Sequence, residues 1–152
     1  ILDRADGEIF RIDLDPCPTT NYCSGLPNSV GPGATIGSSG STLVSNNDFV
    51  LTATGLVPNE FGLFYYGAGQ IQVPFGDGFR CVGGTAGSIV RMFPFAVADG
   101  TGFMDYSVDN TLAVHTQFIA GATLNFQAWF RDPSAGMTGF NLSDGLAMTL
   151  AP

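Results

Sequence analysis

The stretch Thr123-Leu-Asn-Phe-Gln-Ala-Trp-Phe-Arg131 contains neither Gly nor Pro and mostly alternates apolar with polar residues. Successive side chains of a β-strand point to opposite faces of a sheet, so this period of two predicts a strand. The face predicted to lie in the core carries Leu124, Phe126, Ala128 and Phe130. The other face carries Asn125, Gln127, Trp129 and Arg131.

Similar short strand signals recur along the rest of the chain, separated by turns rich in the 21 Gly and 9 Pro residues. No window of a dozen residues keeps a helical spacing of apolar residues free of Gly or Pro, so long helices are not expected. The predicted strands are Glu8–Asp13, Ala34–Ile36, Ser41–Val44, Phe49–Thr54, Phe61–Tyr66, Gln70–Val73, Ser88–Phe95, Gly102–Val108, Ala113–Phe118, Thr123–Arg131 and Leu146–Leu150.

This spacing of strands predicts an all-β fold, an antiparallel β-sandwich of the immunoglobulin or jelly-roll kind, with a closed barrel as the alternative. With 152 residues, of which 45% are hydrophobic, the chain is large enough for one domain with a substantial core. The predicted core residues are Leu51, Leu63, Phe64, Val90, Phe103, Phe126, Phe130 and Met148.

The charged residues are few and mostly acidic. Thirteen acids face five bases, all of them Arg, which gives a net charge of −8. A protein that binds nucleic acid or an anionic membrane surface needs a basic footprint, so neither is an expected partner. No run of 18 apolar residues predicts a transmembrane helix, so no membrane insertion is expected either. Neutral polymers, cations and other proteins remain as classes of partner.

Charge is concentrated near the N-terminus, in residues 3–15, whereas residues 17–47 carry none. This shift predicts that residues 1–16 are a linker or the terminal strand of a preceding domain, and that residues 17–152 form the β-sandwich. Since the chain begins at Ile1 with neither an initiator Met nor a signal peptide, we expect a processed or excised piece of a longer secreted protein.

The three cysteines, Cys17, Cys23 and Cys81, favour a disulfide in an oxidising compartment. Their spacing does not match a zinc site, and His115 is the one histidine, so neither a metal nor another cofactor is predicted. We therefore expect a secreted or cell-surface location. An odd number of cysteines leaves one over, and the residues alone allow Cys17 or Cys81 as the partner of Cys23.

Several segments together resemble a domain that recurs at the C-termini of large secreted proteins of environmental bacteria. The matching segments are Tyr22-Cys23, Pro27-Asn-Ser-Val-Gly31, Asn46–Ala53, Pro58–Phe64, Arg80-Cys-Val-Gly-Gly84 and, most specifically, Asn125-Phe-Gln-Ala-Trp-Phe-Arg-Asp132. The resemblance implies a non-catalytic, extracellular C-terminal module in which Cys23 pairs with Cys81. One departure is Leu124, where that family often has Trp.

The N-terminal segment Asp6-Gly-Glu-Ile-Phe-Arg-Ile12 is similar to the closing strand of secreted glucose/sorbosone-dehydrogenase-like β-propellers. That similarity is short. It implies that the domain follows an enzyme in the same precursor.

The polar face of the Thr123–Arg131 strand is the predicted binding site. An aromatic ring at Trp129, beside the amides of Asn125 and Gln127 and the guanidinium of Arg131, is the chemistry of a sugar-binding ledge. The alternative is that Trp129 lies under a loop or a second sheet, with Arg131 stacked on it or paired with an acid.

No catalytic residues are predicted. The acids are scattered, there is no nucleophile elbow, and His115 is expected to point outward from a strand. The sequence therefore predicts a non-catalytic accessory module of a secreted protein, not an enzyme, that binds carbohydrate or attaches to other extracellular or cell-surface components, beside an upstream domain of the same precursor. The alternative is a structural protein that assembles into an extracellular layer or filament.

Overall fold

A computed structural model of the chain describes residues 2–5, 8–11, 19–85 and 88–152. These residues form antiparallel β-strands and two 3₁₀ turns, at Val44–Asn46 and Ala113–His115. The strands are β1 (Leu2–Ala5), β2 (Glu8–Arg11), β3 (Thr20–Tyr22), β4 (Thr35–Ser39), β5 (Val50–Thr54), β6 (Phe61–Gly67), β7 (Gly69–Phe75), β8 (Gly78–Gly83), β9 (Val90–Arg91), β10 (Ala96–Val97), β11 (Met104–Ser107), β12 (Thr123–Arg131) and β13 (Phe140–Thr149).

The main sheet has the strand order β10-β6-β12-β13-β3, and β9 also pairs with β6. Its centre is β12, whose predicted bounds are confirmed. Trp129 of β12 lies opposite Leu63 of β6 on one side and opposite Leu142 of β13 on the other. Because β12 is paired along both edges, its two faces are the only sides left for other contacts.

The second sheet, β11-β5-β4, packs against the inner face of the main sheet. Leu51 and Ala53 of β5 meet Phe64, Tyr66 and residues of β12 in one buried cluster. The Phe126 ring lies at its centre and contacts the Phe49 ring at a centroid distance of 5.9 Å. This face-to-face packing confirms the all-β, sandwich-type fold.

Most of the predicted core residues are confirmed. Leu51, Phe64, Phe126, Phe130 and Met148 belong to the inner cluster, and Val90 packs partly buried against it. Leu63 is buried on the outer face of the main sheet instead, in a second small cluster. The prediction for Phe103 is wrong, since its side chain is 37% exposed. The alternation of β11 begins one residue later, and Met104 takes the inward position.

Two predicted strands are wrong. Residues 41–44 form only an isolated bridge, Leu43 to Ala151, before a 3₁₀ turn. Residues 113–118 begin with a 3₁₀ turn that turns His115 into the core, where the Tyr66 hydroxyl lies 3.1 Å from its Nδ1. The His115 imidazole can be buried because the Tyr66 hydroxyl is its hydrogen-bond partner and because the rings of Tyr66 and Phe118 pack against it.

Other bounds shift. The segment predicted as Ser88–Phe95 forms a strand only at Val90–Arg91, and β13 begins at Phe140 instead of Leu146. The strands β1, β3, β8 and β10, which are short or rich in Gly, were not predicted. Near the N-terminus, β1 and β2 pair with each other. The proposed division at residue 16 stays a prediction, and Cys17 lies outside the described residues.

Candidate binding groove

The hairpin β7–β8 lies over one half of the outer face of the main sheet. Gln127 of β12 is fully buried beneath it and uses all of its hydrogen-bonding capacity. Its Oε1 accepts from the backbone N–H of Cys81, at 2.8 Å, and from the Tyr65 hydroxyl. Its Nε2 donates to the carbonyls of Phe79 and Ser143, at 2.8 and 2.6 Å. We call this half of the outer face the covered half.

Asn125 lies in the covered half as well. Its Oδ1 accepts from the Gln70 amide of β7 at 2.9 Å, and its Nδ2 donates to the Gly67 carbonyl at 3.4 Å. Both amides of the predicted site therefore bind within the protein and are buried away from solvent. They hold the hairpin on the sheet.

A disulfide fixes the same half. Cys23 and Cys81 are bonded, with their Cα atoms 6.0 Å apart, which confirms the pairing that the family resemblance implies. Cys23 directly follows β3, and Cys81 lies in β8. The Tyr22 hydroxyl adds a hydrogen bond of 3.0 Å to the Cys81 carbonyl. The edge strand of the sheet and the hairpin above it are thereby joined.

The other half of the outer face is open, and we call it the open half. It forms a groove of about 770 Å³. Its floor is built by Leu63 and Tyr65 of β6 together with Trp129 of β12, because these side chains alternate onto the same face. The Trp129 ring is half-buried and packs against the Phe140 ring at a centroid distance of 5.6 Å.

The walls of the groove are aromatic and exposed. Phe75 comes from the hairpin, Phe93 and Phe95 come from the segment between β9 and β10, and Phe61 begins β6. Their side chains are 45%, 55%, 57% and 54% exposed, respectively. Most large apolar side chains of a folded domain are buried. Four exposed Phe rings around one groove therefore form an unusually concentrated apolar surface.

Gly76 sets the shape of one wall. It lies in the turn between β7 and β8 with a φ of 63°, a conformation that side chains disfavour. A Cβ atom there would come within 2.1 Å of the Phe140 ring. The glycine therefore lets the hairpin tip pack against Phe140, whose ring contacts the Phe75 ring at 5.3 Å.

Three arginines also line the groove: Arg80, Arg91 and Arg131. In residues 19–85 and 88–152 they are the only basic side chains apart from His115, and none of the three makes an ion pair with an acid of those two ranges. Arg80 lies 6.0 Å from the Phe75 ring centre, and its Nε is buried without a described hydrogen-bond partner. No Asp or Glu of residues 19–85 and 88–152 lines the groove.

Burial dominates the titration of the floor residue Tyr65. Burial raises the pKa of its hydroxyl well above the usual value, while the nearby charge of Arg80 acts in the opposite direction. The hydroxyl therefore stays protonated and donates to Gln127. In a protein with a net charge of −8, this groove is a local site of positive charge.

The polar side chains of the described groove lining are Tyr65 and the three arginines, beside the indole of Trp129. Its described lining contains no His, Cys, Ser, Asp or Glu. Burial lowers the pKa of His115, which lies in the core instead. In the described part of the chain, no three His, Cys, Asp or Glu side chains are placed to hold a metal ion.

Several acids of the described chain have structural roles. The carboxylates of Asp99 and Asp109 accept hydrogen bonds from Thr101 and Thr111 respectively, which lower the pKa of each acid and shape its turn. In the Asn46–Asp48 turn, Asp48 accepts from the backbone N–H and the hydroxyl of Ser41.

The structure also bears on a glycosylation sequon and on membrane-spanning helices. Asn141 of the Asn141-Leu-Ser143 sequon is fully buried within β13, where its Nδ2 donates to the Pro27 carbonyl at 3.0 Å, so it is closed to glycosylation in the folded state. No helix of the described residues is long and apolar enough to span a bilayer.

The structure thus divides the four predicted site residues. Trp129 and Arg131 line the groove, whereas Asn125 and Gln127 lie beneath the hairpin. Sequence reasoning missed the groove walls. One signal was present in Arg91-Met-Phe-Pro-Phe95, where two Phe residues flank a Pro beside one of only five arginines.

Comparison of the chain with protein-family models, with curated proteins and with solved structures finds no match. The resemblance to C-terminal domains of secreted bacterial proteins therefore stays a prediction.

Proposed function

We propose that the chain is a non-catalytic accessory module of a secreted protein that binds carbohydrate in the open groove. The observation that supports this most is the set of exposed aromatic rings around Trp129, in a groove whose described lining offers no acid, base or nucleophile pair.

The chemistry of the lining suits a sugar. The faces of sugar rings carry C–H groups that pack on aromatic rings, and Phe93, Phe95 and Trp129 offer such rings next to one another. Guanidinium groups at the same surface provide several donors for ring hydroxyls and carboxylates. Rigid aromatic side chains lose little conformational entropy when a ligand covers them, which favours binding.

The secreted location rests on the disulfide. A Cys23–Cys81 bond persists in oxidising compartments, whereas cytosolic thiols are mostly kept reduced. As part of this proposal, the module serves an upstream domain of the same precursor by holding it on a polysaccharide or a cell surface.

The experiment uses the single tryptophan as its probe. Trp129 lies in the groove, so a bound sugar should change its fluorescence emission, and titration with a panel of soluble polysaccharides then gives an affinity. The double variant Phe93→Ser/Phe95→Ser removes two exposed rings. We expect it to weaken binding at least about tenfold, because each stacked ring contributes about a kcal/mol.

Phe103→Ser is the matched control, since Phe103 is an exposed Phe outside the groove lining. It should bind as the unaltered chain does. A panel in which no polysaccharide binds, or groove variants that bind as tightly as the control, would overturn the proposal.

A second candidate function is self-assembly into an extracellular layer or filament. It is favoured by the exposed apolar patch that continues from Phe61 to its cross-strand partner Val97, which is 52% exposed. Sedimentation velocity over a hundredfold range of concentration tests it. Assembly predicts a concentration-dependent increase in mass that Val97→Ser abolishes, and a monomer at every concentration would exclude it.

A further inference from the structure

The three arginines narrow the class of carbohydrate. Building on the proposed carbohydrate-binding function, we propose that the groove takes an acidic polysaccharide whose sugar rings carry carboxylates, that is, a uronic-acid polymer. Its ring faces lie on the aromatic walls, and its carboxylates pair with Arg91 and Arg131.

The charge of the groove lining favours an anionic ligand. The described lining of the groove has three guanidinium groups and no carboxylate, although the whole chain has 13 acids and only five bases. A ligand that covers a guanidinium removes it from water, which costs free energy unless the ligand supplies a partner. Carboxylates are such partners, since the two oxygens match the planar donors of Arg.

The arginines are also widely spaced along the sheet. Arg91 lies opposite Tyr65 of β6, while Arg131 is one residue beyond the pair formed by Phe130 and Gly62. The Cα positions of the two arginines are thus about four residues, or about 13 Å, apart along β6, and they lie on opposite edges of that strand. A single sugar ring does not span that distance, so a polymer with repeated carboxylates fits better than a monosaccharide acid.

The strands under the groove favour a sugar polymer over an acidic peptide. An extended peptide usually binds by adding a strand to an open sheet edge, where backbone hydrogen bonds supply much of the affinity. The floor of this groove consists of β6 and β12, and each of these strands already has partners on both edges. The groove therefore offers side-chain rings and guanidinium groups, which suit stacked rings with charged substituents.

The test compares two forms of one polymer. Polygalacturonate and its fully methyl-esterified form share a backbone and differ in charge, and Trp129 fluorescence reports the binding of either. We expect polygalacturonate to bind at least about tenfold more tightly than the ester. Arg131→Gln and Arg91→Gln should each lower the affinity for polygalacturonate at least about tenfold, because each removes a charge-assisted pair.

A charge-compensated variant separates local contact from net charge. Asp105 is exposed in β11, on the second sheet and outside the groove lining. Arg131→Gln makes the net charge more negative by one, and Asp105→Asn restores it. The double variant Arg131→Gln/Asp105→Asn should bind as weakly as Arg131→Gln alone. Recovery of the affinity would show that the overall charge, and not Arg131, attracts the polymer, and would overturn the inference.

The remaining outcomes are each decisive. Equal affinity for the acidic and esterified polymers would overturn the uronate assignment and leave the carbohydrate-binding proposal standing. Equal or tighter binding of dextran sulfate would show a general anion site, and equal or tighter binding of poly-glutamate would show a peptide site. Either result overturns the assignment. If no polysaccharide binds, the assignment and the proposed function both fail.

Discussion

The covered half and the open half of the outer face lie on the same strands of the main sheet and differ in what lies above them. In the covered half, the amides of Asn125 and Gln127 are buried under the β7–β8 hairpin and hydrogen-bonded within the protein. In the open half, two residues further along β12, Trp129 borders a groove that no segment of the described chain fills.

One alternating pattern of residues thus serves two purposes in the two halves. Polar residues at 125 and 127 and an aromatic residue at 129 suggest one continuous polar face with a ring in it. The hairpin instead covers the polar part of this face, at residues 125 and 127. Buried polar side chains are stabilising only when their hydrogen-bond partners are present, and the hairpin and the neighbouring strands supply those partners. The part of the face that stays exposed is the open half, which is lined by aromatic side chains.

The largest expected effect comes from loosening the covered half at its disulfide. The double variant Cys23→Ala/Cys81→Ala opens a loop with a sequence separation of 58. We expect the free energy of unfolding to fall by about 4 kcal/mol, since the unfolded chain gains conformational entropy. Urea unfolding followed by circular dichroism measures it.

Cys17→Ser is the matched control for this experiment. Cys17 is not part of the Cys23–Cys81 bond, so its replacement should leave the stability unchanged. Equal losses in the two proteins, or none in the double variant, would contradict a stabilising role for this bond.

The fold class was accessible from the sequence because alternation and turn residues are local signals. The long strand Thr123–Arg131 was predicted with its bounds, since its apolar set fills the core without exception. The inward orientation of His115 was not predicted, because it depends on Tyr66, which is 49 residues away in the sequence. A strand such as β8, which begins and ends with Gly, gains its structure from tertiary contacts that leave little local pattern.

The candidate site was predictable only in part for the same reason. Trp129 and Arg131 were found from the strand alternation, and both line the groove. The burial of Gln127 depends on the β7–β8 hairpin, which lies nearly fifty residues earlier in the chain and includes its hydrogen-bond partner Cys81. The Phe walls come from a segment with little regular structure, so no periodicity marked them.

The next effect tests whether the amide network holds the hairpin down. Gln127→Leu keeps the size of the side chain and leaves four partner groups without their hydrogen bonds, including the Cys81 N–H and the Phe79 carbonyl. Each buried group left unpaired costs about 1 kcal/mol or more, and partial relaxation offsets some of it. We expect a loss of about 3 kcal/mol in the free energy of unfolding.

Gln72→Leu makes the same chemical change on the hairpin itself. Gln72 is exposed in β7, so the stability should change by less than about 0.5 kcal/mol. A Gln127→Leu protein as stable as this control would mean that the covered half is held by apolar packing alone.

The smallest expected effect concerns the open half. Phe95→Ala removes a ring that is 57% exposed and makes one edge contact, with the Phe93 ring at 5.0 Å. Because little buried area and one aromatic pair are lost, the free energy of unfolding should fall by less than about 1 kcal/mol. Urea unfolding measures this in the same way as before.

A buried Phe replaced by Ala costs about 3 to 5 kcal/mol, so a loss of that size would show that the ring is covered in solution. The groove would then be part of the core, and the distinction between the two halves would fail.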